Sequence, residues 1–328
     1  MTCPSICLII RRQCACLKGT TMDYIDDEIG FKGKYFRVRS ININGLILIV
    51  RGRFLRIMGL KEEEFQDLNE PAKVIEKFRG FKEKPDLFTF KQRFPDVFTH
   101  YDFHTEYESI AVLNTSSYKD WAENRINQNT KRAIEKAKKR GVQVKVVKFD
   151  RPFIEGLIEI FNESPIRQNK PFWHYGKDYA TIEREFSKYL SREEIIGAYW
   201  EGQLVGFIFL ANAGKYAIPT QILSKMAHRD KGVVNILMAK AVEICEEKKI
   251  PFIVYGDWQE SGLTEFKRRN GFEKVDIPRY YVPLTIKGKA AILLGLHRGW
   301  AGLLPKRLKR VLLNLRSAWY ARRHGVDH

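Results

Sequence analysis

Residues 221–249 constrain the fold of this chain more than any other stretch. The run Gln221-Ile222-Leu223-Ser224-Lys225-Met226-Ala227-His228-Arg229-Asp230-Lys231-Gly232-Val233-Val234-Asn235 starts apolar and turns basic within a few residues, then continues as an apolar helical pattern to about Lys249. This reads as a strand, a tight loop and a helix. The first turn of a helix has backbone N–H groups without partners and the positive end of the peptide dipoles, which together suit a phosphate. Arg229 and Lys231 add charge, and Gly232 allows close backbone approach. The expected cofactor-binding residues are therefore Ser224, His228, Arg229, Lys231, Gly232 and Asn235.

The rest of the composition fits a folded chain with an anionic partner. There are 328 residues, enough for two modest domains, with 44% hydrophobic residues and a net charge of +18. Such a charge fits a phosphorylated cofactor, RNA or an acidic membrane surface, without choosing between them. No apolar run reaches the roughly 18 residues that a membrane-spanning helix needs. Four of the five cysteines (Cys3, Cys7, Cys14 and Cys16) lie at the start of the chain, and Cys245 stands alone in a helical pattern. The body thus has no disulfide framework, which places it in a reducing, cytoplasmic compartment. The N-terminal cysteine spacing matches no zinc pattern, so no metal is expected, and residues 1–28 read as an extension.

Residues 29–116 mix strands (Tyr35–Arg39, Leu46–Val50, Leu87–Phe90, Ser109–Leu113) with a charged helical segment over 61–83, which makes a small α+β unit. Residues 117–140 form one helix ending at Gly141, with Trp121, Ile126, Thr130, Ala133, Ile134 and Ala137 on one face and Lys131, Arg132, Lys136, Lys138, Lys139 and Arg140 on the other. Beyond it come strand 142–147, helix 151–162, helix 178–191, a hairpin across Glu201-Gly202, strand 216–227, helix 232–249, strand 251–258, helix 262–269 and a last strand around Tyr280-Tyr281-Val282.

Between helices 151–162 and 178–191 lies a polar, aromatic block, Asn162 to Lys177, of weak periodicity. It reads as a loop lining a cleft. Arg167, Gln168, Lys170, Trp173, Tyr175 and Lys177 suit a polar or anionic substrate, with Arg279 and Tyr281 closing the same cleft from the last strand. The same block and the strands beside it carry groups suited to general acid–base chemistry. His174 and Glu163 are the candidate bases, and Tyr255 is a candidate acid. Each also has a structural alternative: packing for His174 and Tyr255, and a cap or a pair with Arg167 for Glu163.

This order of elements, with a phosphate loop after the fourth strand and Asn270-Gly271-Phe272 after the last helix, resembles the Gcn5-related N-acetyltransferase (GNAT) fold over roughly residues 142–285. That family's loop pattern, Gln/Arg-x-x-Gly-x-Gly/Ala, falls on Arg229-Asp230-Lys231-Gly232-Val233-Val234, with Val234 where a small residue is usual. A second resemblance covers more of the chain. Trp121 followed by Asn129-Thr130-Lys131-Arg132-Ala133-Ile134-Glu135-Lys136-Ala137-Lys138-Lys139-Arg140-Gly141-Val142 is similar to the helix that leads into the second of two GNAT-like domains in FemA/FemB-type transferases. It implies a reduced first domain over 29–116 and a complete second one over 117–285. It also implies a donor that is either acyl-CoA or aminoacyl-tRNA. Many acetyltransferases carry a Tyr four residues before the Gly of the Gly-Phe pair, and here Lys267 stands there.

Residues 286–328 form a tail. From Ile286 to Arg323 there are ten Lys or Arg and no acid. Leu304, Leu308, Val311, Leu312, Leu315 and Trp319 recur at helical spacing. A basic amphipathic helix over 304–323 would pack on the body, lie on an anionic membrane at its inner face, or grip tRNA. The expectation is an α/β acyltransferase using acyl-CoA and an amine-bearing acceptor. One alternative is an aminoacyl-tRNA donor. Another is a non-catalytic membrane- or nucleic-acid-binding module on a degenerate scaffold.

Overall fold

A computed structural model describes residues 24–299, apart from residues 32–33, 82, 169 and 259–261. The basic stretch 304–323 and the four N-terminal cysteines lie outside the described residues.

The chain opens with an antiparallel meander of β1 (Ile25–Phe31), β2 (Lys34–Ile43), β3 (Leu46–Arg51) and β4 (Ile57–Leu60). Helix α1 (Pro71–Arg79) then crosses to β5 (Leu87–Lys91), which runs parallel to β4. Next are β6 (His104–Asn114), the short α2 (Tyr118–Asp120) with a wide π turn over Trp121–Arg125, and α3 (Gln128–Lys139). After β7 (Gln143–Val146) come α4 (Arg151–Asn162), the two-residue strands β8 (Ile166–Arg167) and β9 (Lys170–Pro171), and α5 (Tyr179–Phe186), which continues as a 3-10 turn over Ser187–Arg192. A second meander follows in β10 (Glu193–Trp200), β11 (Gln203–Asn212) and β12 (Ala217–Ser224). A 3-10 turn over Met226–Lys231 and α6 (Val233–Glu247) cross to β13 (Phe252–Asp257), parallel to β12. The described chain ends with α7 (Gly262–Arg269), β14 (Glu273–Pro283), α8 (Ile286–Leu293) and a turn over Leu296–Arg298.

The strands other than β8 and β9 share one sheet, ordered β1-β2-β3-β4-β5-β14-β6-β13-β12-β11-β10-β7. Each half has four antiparallel strands (β1–β4, and β7 with β10–β12), a helical crossover to a parallel strand, and a final strand. The final strands are exchanged: β6 follows β5 in sequence but pairs with β13 and β14, while β14 follows β13 but pairs with β5 and β6. The repeat is one of topology, not of residue identity. The sheet runs without a break from one half to the other through the β14–β6 pair.

Burial follows from this order. β11 is central in the second half and buried from Leu204 to Ala211, as a strand covered on both faces must be. Val205, Ile208 and Leu210 pack with Trp121 and Ile134 and with Leu237 and Met238 of α6, whereas Leu204, Phe207 and Phe209 pack with Phe153, Leu157 and Phe161 of α4. The first half has its own core of Ile43, Leu48, Met58, Phe78, Phe88 and Tyr280.

Three elements differ from the sequence reading. The helix expected over 61–83 is confined to Pro71–Arg79, because Glu62, Glu63 and Glu64 are drawn to partners elsewhere and Pro is best placed in a first turn. The helix expected over 117–140 breaks at Ile126, whose backbone is extended, and restarts behind Asn127, whose side chain accepts from Thr130 N–H. Residues 25–28, expected in the extension, belong to β1, where Ile25 pairs opposite Ser40.

Candidate functional site

The site is built around the strand–loop–helix that opens at Ala217. β12 pairs with β11 along its length, but its register with β13 holds only at Ala217 opposite Ile253. From Ile218 onward the two parallel strands splay, and the β12 edge facing β13 has no ladder partner there. Backbone groups on such an edge need water or a ligand. Splayed carboxyl ends of parallel strands are also where ligands enter α/β sheets. The register with β11 slips between Phe209 and Leu210, which leaves Thr220 in a bulge beside the opening.

The basic loop follows at the end of β12. Glu163 fixes its start: Oε1 accepts from Ala227 N–H at 2.8 Å, and Oε2 accepts from Met226 N–H and from Arg167 Nη2 at 2.9 Å. The buried Arg167 also donates to Ser224 O at 2.8 Å and Ile160 O at 2.7 Å, with its guanidinium over Phe172. Both residues expected at the substrate or the base therefore tie the loop to the end of α4. Gly232 ends the turn at φ 71°, and a Cβ there would stand 2.3 Å from Ala133 O of α3. Only glycine fits that position.

Around this frame, Lys231 lies 4.2 Å above the Trp200 ring, Asp230 pairs with Arg140, and Lys225 pairs with Glu159. Arg229 is exposed and has no ion-pair partner among the described residues. His228 packs on Trp200, and its buried Nδ1 has no hydrogen-bond partner among the described residues. Burial, and then Lys231, hold its pKa below the ordinary value. An exposed guanidinium with no ion-pair partner among the described residues, in a turn that leads into the first turn of α6, fits a phosphate group. Asn235 lies in that first turn, and its N–H bonds to Gly232 O. Ser224 contributes its carbonyl to Arg167 rather than a hydroxyl contact.

The polar block is divided. His174 is buried and stacks 4.6 Å from the Phe161 ring. Its Nε2 accepts from Trp173 Nε1 at 2.7 Å, and its Nδ1 lies 3.0 Å from Lys177 Nζ, which also pairs with Glu185. Burial, reinforced by the Lys177 charge, pushes its pKa down to about 3. Because Nε2 accepts from Trp173, the single proton of the neutral ring sits on Nδ1, and His174 is buried against Phe161 as a packing residue in this arrangement. Gln168 and Lys170 are exposed around the tip of the β8–β9 hairpin, and Trp173 and Tyr175, which follow it, are exposed.

A cavity of about 610 Å³ lies between the halves, walled by Trp173, His174, Phe186, Glu193, Thr220 and Gln221 on one side and by Glu62–Phe65 on the other. Glu193 is the residue the sequence reading missed here. Its Oε1 accepts from Thr220 Oγ1 at 2.8 Å, and burial raises its pKa. In sequence it is an ordinary acid ahead of an apolar strand. The only local signal was Pro219, which inside a strand marks a bulge.

Arg279 and Tyr281 do not join this cavity. Arg279 is held by Glu63 at 2.6 Å and by Glu108, and Tyr281 packs on His297, both along a separate cavity of about 280 Å³. Tyr255 lies on β13 across the splay from the loop. Burial raises its pKa, and Lys267 Nζ sits 4.9 Å above its ring and donates to Asp257 O at 2.8 Å. Lys267 is only 2% exposed, and burial lowers its pKa.

No protein-family model matches the chain, and no curated protein is similar to it in sequence. Solved structures do share its fold. A FemX crystal structure superposes with a TM-score of 0.55 at 10% identity, covering 82% of this chain and 90% of FemX. The C-terminal domain of a protein described as a lysylphosphatidylglycerol synthetase, from Agrobacterium fabrum, gives 0.53 at 12% identity, covering 78% and 86%. A conserved protein of unknown function from Bacteroides thetaiotaomicron gives 0.50 at 11%, covering 76% and 86%. The architecture is thus the GNAT-like fold of FemX-type proteins.

Proposed function

We propose that the protein is an acyltransferase that moves an acyl group from acyl-CoA to the amine of an acceptor. The observation that carries this reading is the splay of β12 from β13 beside a pinned basic loop. A phosphate of the donor would lie against the first turn of α6, Arg229 and His228. The two amides of a pantetheine arm would pair with the free β12 edge, as an added strand does. The acceptor amine would enter the cavity at Thr220 and attack the thioester carbonyl. An amide bond forms, the C–S bond breaks, and the ammonium proton must be removed. Glu193 is the acid placed to take it. Glu163 and Arg167 position the loop, and Tyr255 with Lys267 forms the wall on the leaving-group side. No helix among the described residues is long and apolar enough to cross a membrane. The reaction would run in the cytoplasm, with 304–323 as a membrane-surface contact.

A second reading takes aminoacyl-tRNA as donor. It is favoured by α3, whose exposed Arg132, Lys136, Lys138 and Lys139 extend the charge of the loop, against which α3 packs at Ala133.

Calorimetric titration tests both readings. With acetyl-CoA or a longer acyl-CoA the expected dissociation constant lies on the order of micromolar to millimolar, weakened at least about tenfold by Arg229→Glu. Salt-sensitive tRNA binding without CoA binding transfers the site to the second reading. No affinity for either leaves only a non-catalytic module. Once turnover is measured, Glu193→Gln should lower kcat by about 10²–10³ and remove an acid limb of the pH profile, which rises as the carboxyl loses its proton.

A further inference from the structure

At the start of β6, three side chains converge that have no part in the proposed reaction. His104, Glu106 and His297 each offer a ligand atom, and these atoms lie within 4.8 Å of one another. His297 is buried beneath the Tyr281 ring, and the two imidazoles stand edge to face at 5.5 Å. His297 Nδ1 is 3.4 Å from Ala291 O, and a carbonyl can only accept, so the Nδ1 proton belongs there. Nε2 of the neutral ring then carries a lone pair, yet it faces Glu106 Oε1 at 2.7 Å. His104 Nε2 faces the same oxygen at 3.5 Å. With the His297 proton on Nδ1, its Nε2 and Glu106 Oε1 both present lone pairs, and a cation, either a proton or a metal, must stand between them.

We propose that His104, Glu106 and His297 form a binding site for one zinc ion or a similar late first-row divalent cation. Two imidazoles and a carboxylate are a suitable donor set for zinc, with water as the fourth ligand. Tetrahedral bonds of about 2.0–2.1 Å set ligand atoms roughly 3.3 Å apart, so side-chain shifts of the order of an ångström close the site. The Nδ1 contact to Ala291 O is the outer partner that orients a ligating histidine. Arg298 approaches Glu106 Oε1 at 3.0 Å from the open side, and its side chain is 61% exposed, which leaves it room to move aside. The ligands come from β6 and from the turn after α8, with Glu106 and His297 191 positions apart in the sequence. No sequence spacing could reveal such a site. The metal would clip the start of the C-terminal segment to the central sheet.

The test uses the full chain, stripped by a chelator and titrated with Zn²⁺ and Co²⁺. One equivalent should bind, Co²⁺ should give the visible absorption of a tetrahedral site, and Zn²⁺ should raise the melting temperature. His297→Gln should weaken binding by about 100-fold or more, and His104→Gln, at the exposed ligand, by at least about tenfold. If His297→Gln fails to fold, His104→Gln still decides the matter. Absence of a tetrahedral Co²⁺ spectrum, or binding unchanged in His104→Gln, would overturn the proposal and leave Glu106 held by His297 and Arg298 alone.

Discussion

The two parallel crossovers, β4–α1–β5 and β12–α6–β13, occupy matching places in the two halves and carry opposite chemistry. In the first, β4 pairs with β5 at Ile57 and Met58, and the following loop holds Glu62, Glu63 and Glu64. Each acid is occupied: Glu62 by Arg192, Glu63 by Arg279 and Lys91 N–H, and Glu64 by Lys91 and Tyr216. In the second, the strands pair once and part, the loop is basic, and Arg229 is without an ion-pair partner among the described residues. One unit, used twice, has become a sealed acidic wall in one half and an open basic cleft in the other. The helix dipole has the same sense in both, so the side chains of the loop decide which crossover can accept a phosphate.

The comparison breaks first at Arg279. Its guanidinium is 14% exposed and holds Glu63 and Glu108 together across the first crossover. Arg279→Met leaves two partly buried carboxylates uncompensated and should cost about 3–5 kcal/mol of unfolding free energy, read by urea denaturation. Donor affinity of the folded fraction should stay within about twofold. A loss of stability below about 1 kcal/mol would mean that the first crossover is not sealed by these charges.

Gly232 tests the open crossover. Gly232→Ala combines a left-handed backbone with a side-chain carbon pressed on Ala133 O, a cost on the order of 3 kcal/mol. Because the loop must move off α3 to relieve the contact, donor affinity should fall as well, by about tenfold or more in the same titration. Lost stability with unchanged affinity would show that the loop conformation does not matter for the donor.

How far the sequence reveals this difference depends on the range of the interactions. The second crossover is local: apolar strand, basic loop, glycine and helix follow one another within thirty residues, so their pattern is readable, as are the β10–β11 hairpin and α4. The first crossover is not. Glu62–Glu64 look like the start of a solvated helix, and only distant partners, Arg192, Lys91 and Arg279, hold them in a turn. Arg279 reads as a free cation near a cleft for the same reason. Glu163 and Arg167 were legible as a polar pair but not as the anchor of a loop some 60 residues away. Glu193 carries no pattern, since its burial comes from the meeting of the two halves. The exchange of β6 and β14 is invisible to any local signal, because it is a choice of partner.

The smallest expected effect separates the two walls of the shared cavity by their response to acid. The first-half wall, Glu62–Phe65, contains no histidine. The second-half wall contains His174, with a folded pKa of about 3 against an unfolded value near 6.5. A histidine depressed in this way stabilises the fold fully above its unfolded pKa. As the pH falls below about 6.5, the unfolded chain takes up a proton that the folded one refuses, and stability drops until the pH reaches the folded value. Between pH 7 and pH 5 the loss is about 2 kcal/mol. His174→Gln should cost stability at pH 7 but flatten the profile between pH 7 and 5 by that amount, measured by urea midpoints across the range. An unchanged slope in the variant would show that the acid sensitivity arises elsewhere, and that the second-half wall is not the more acid-labile of the two.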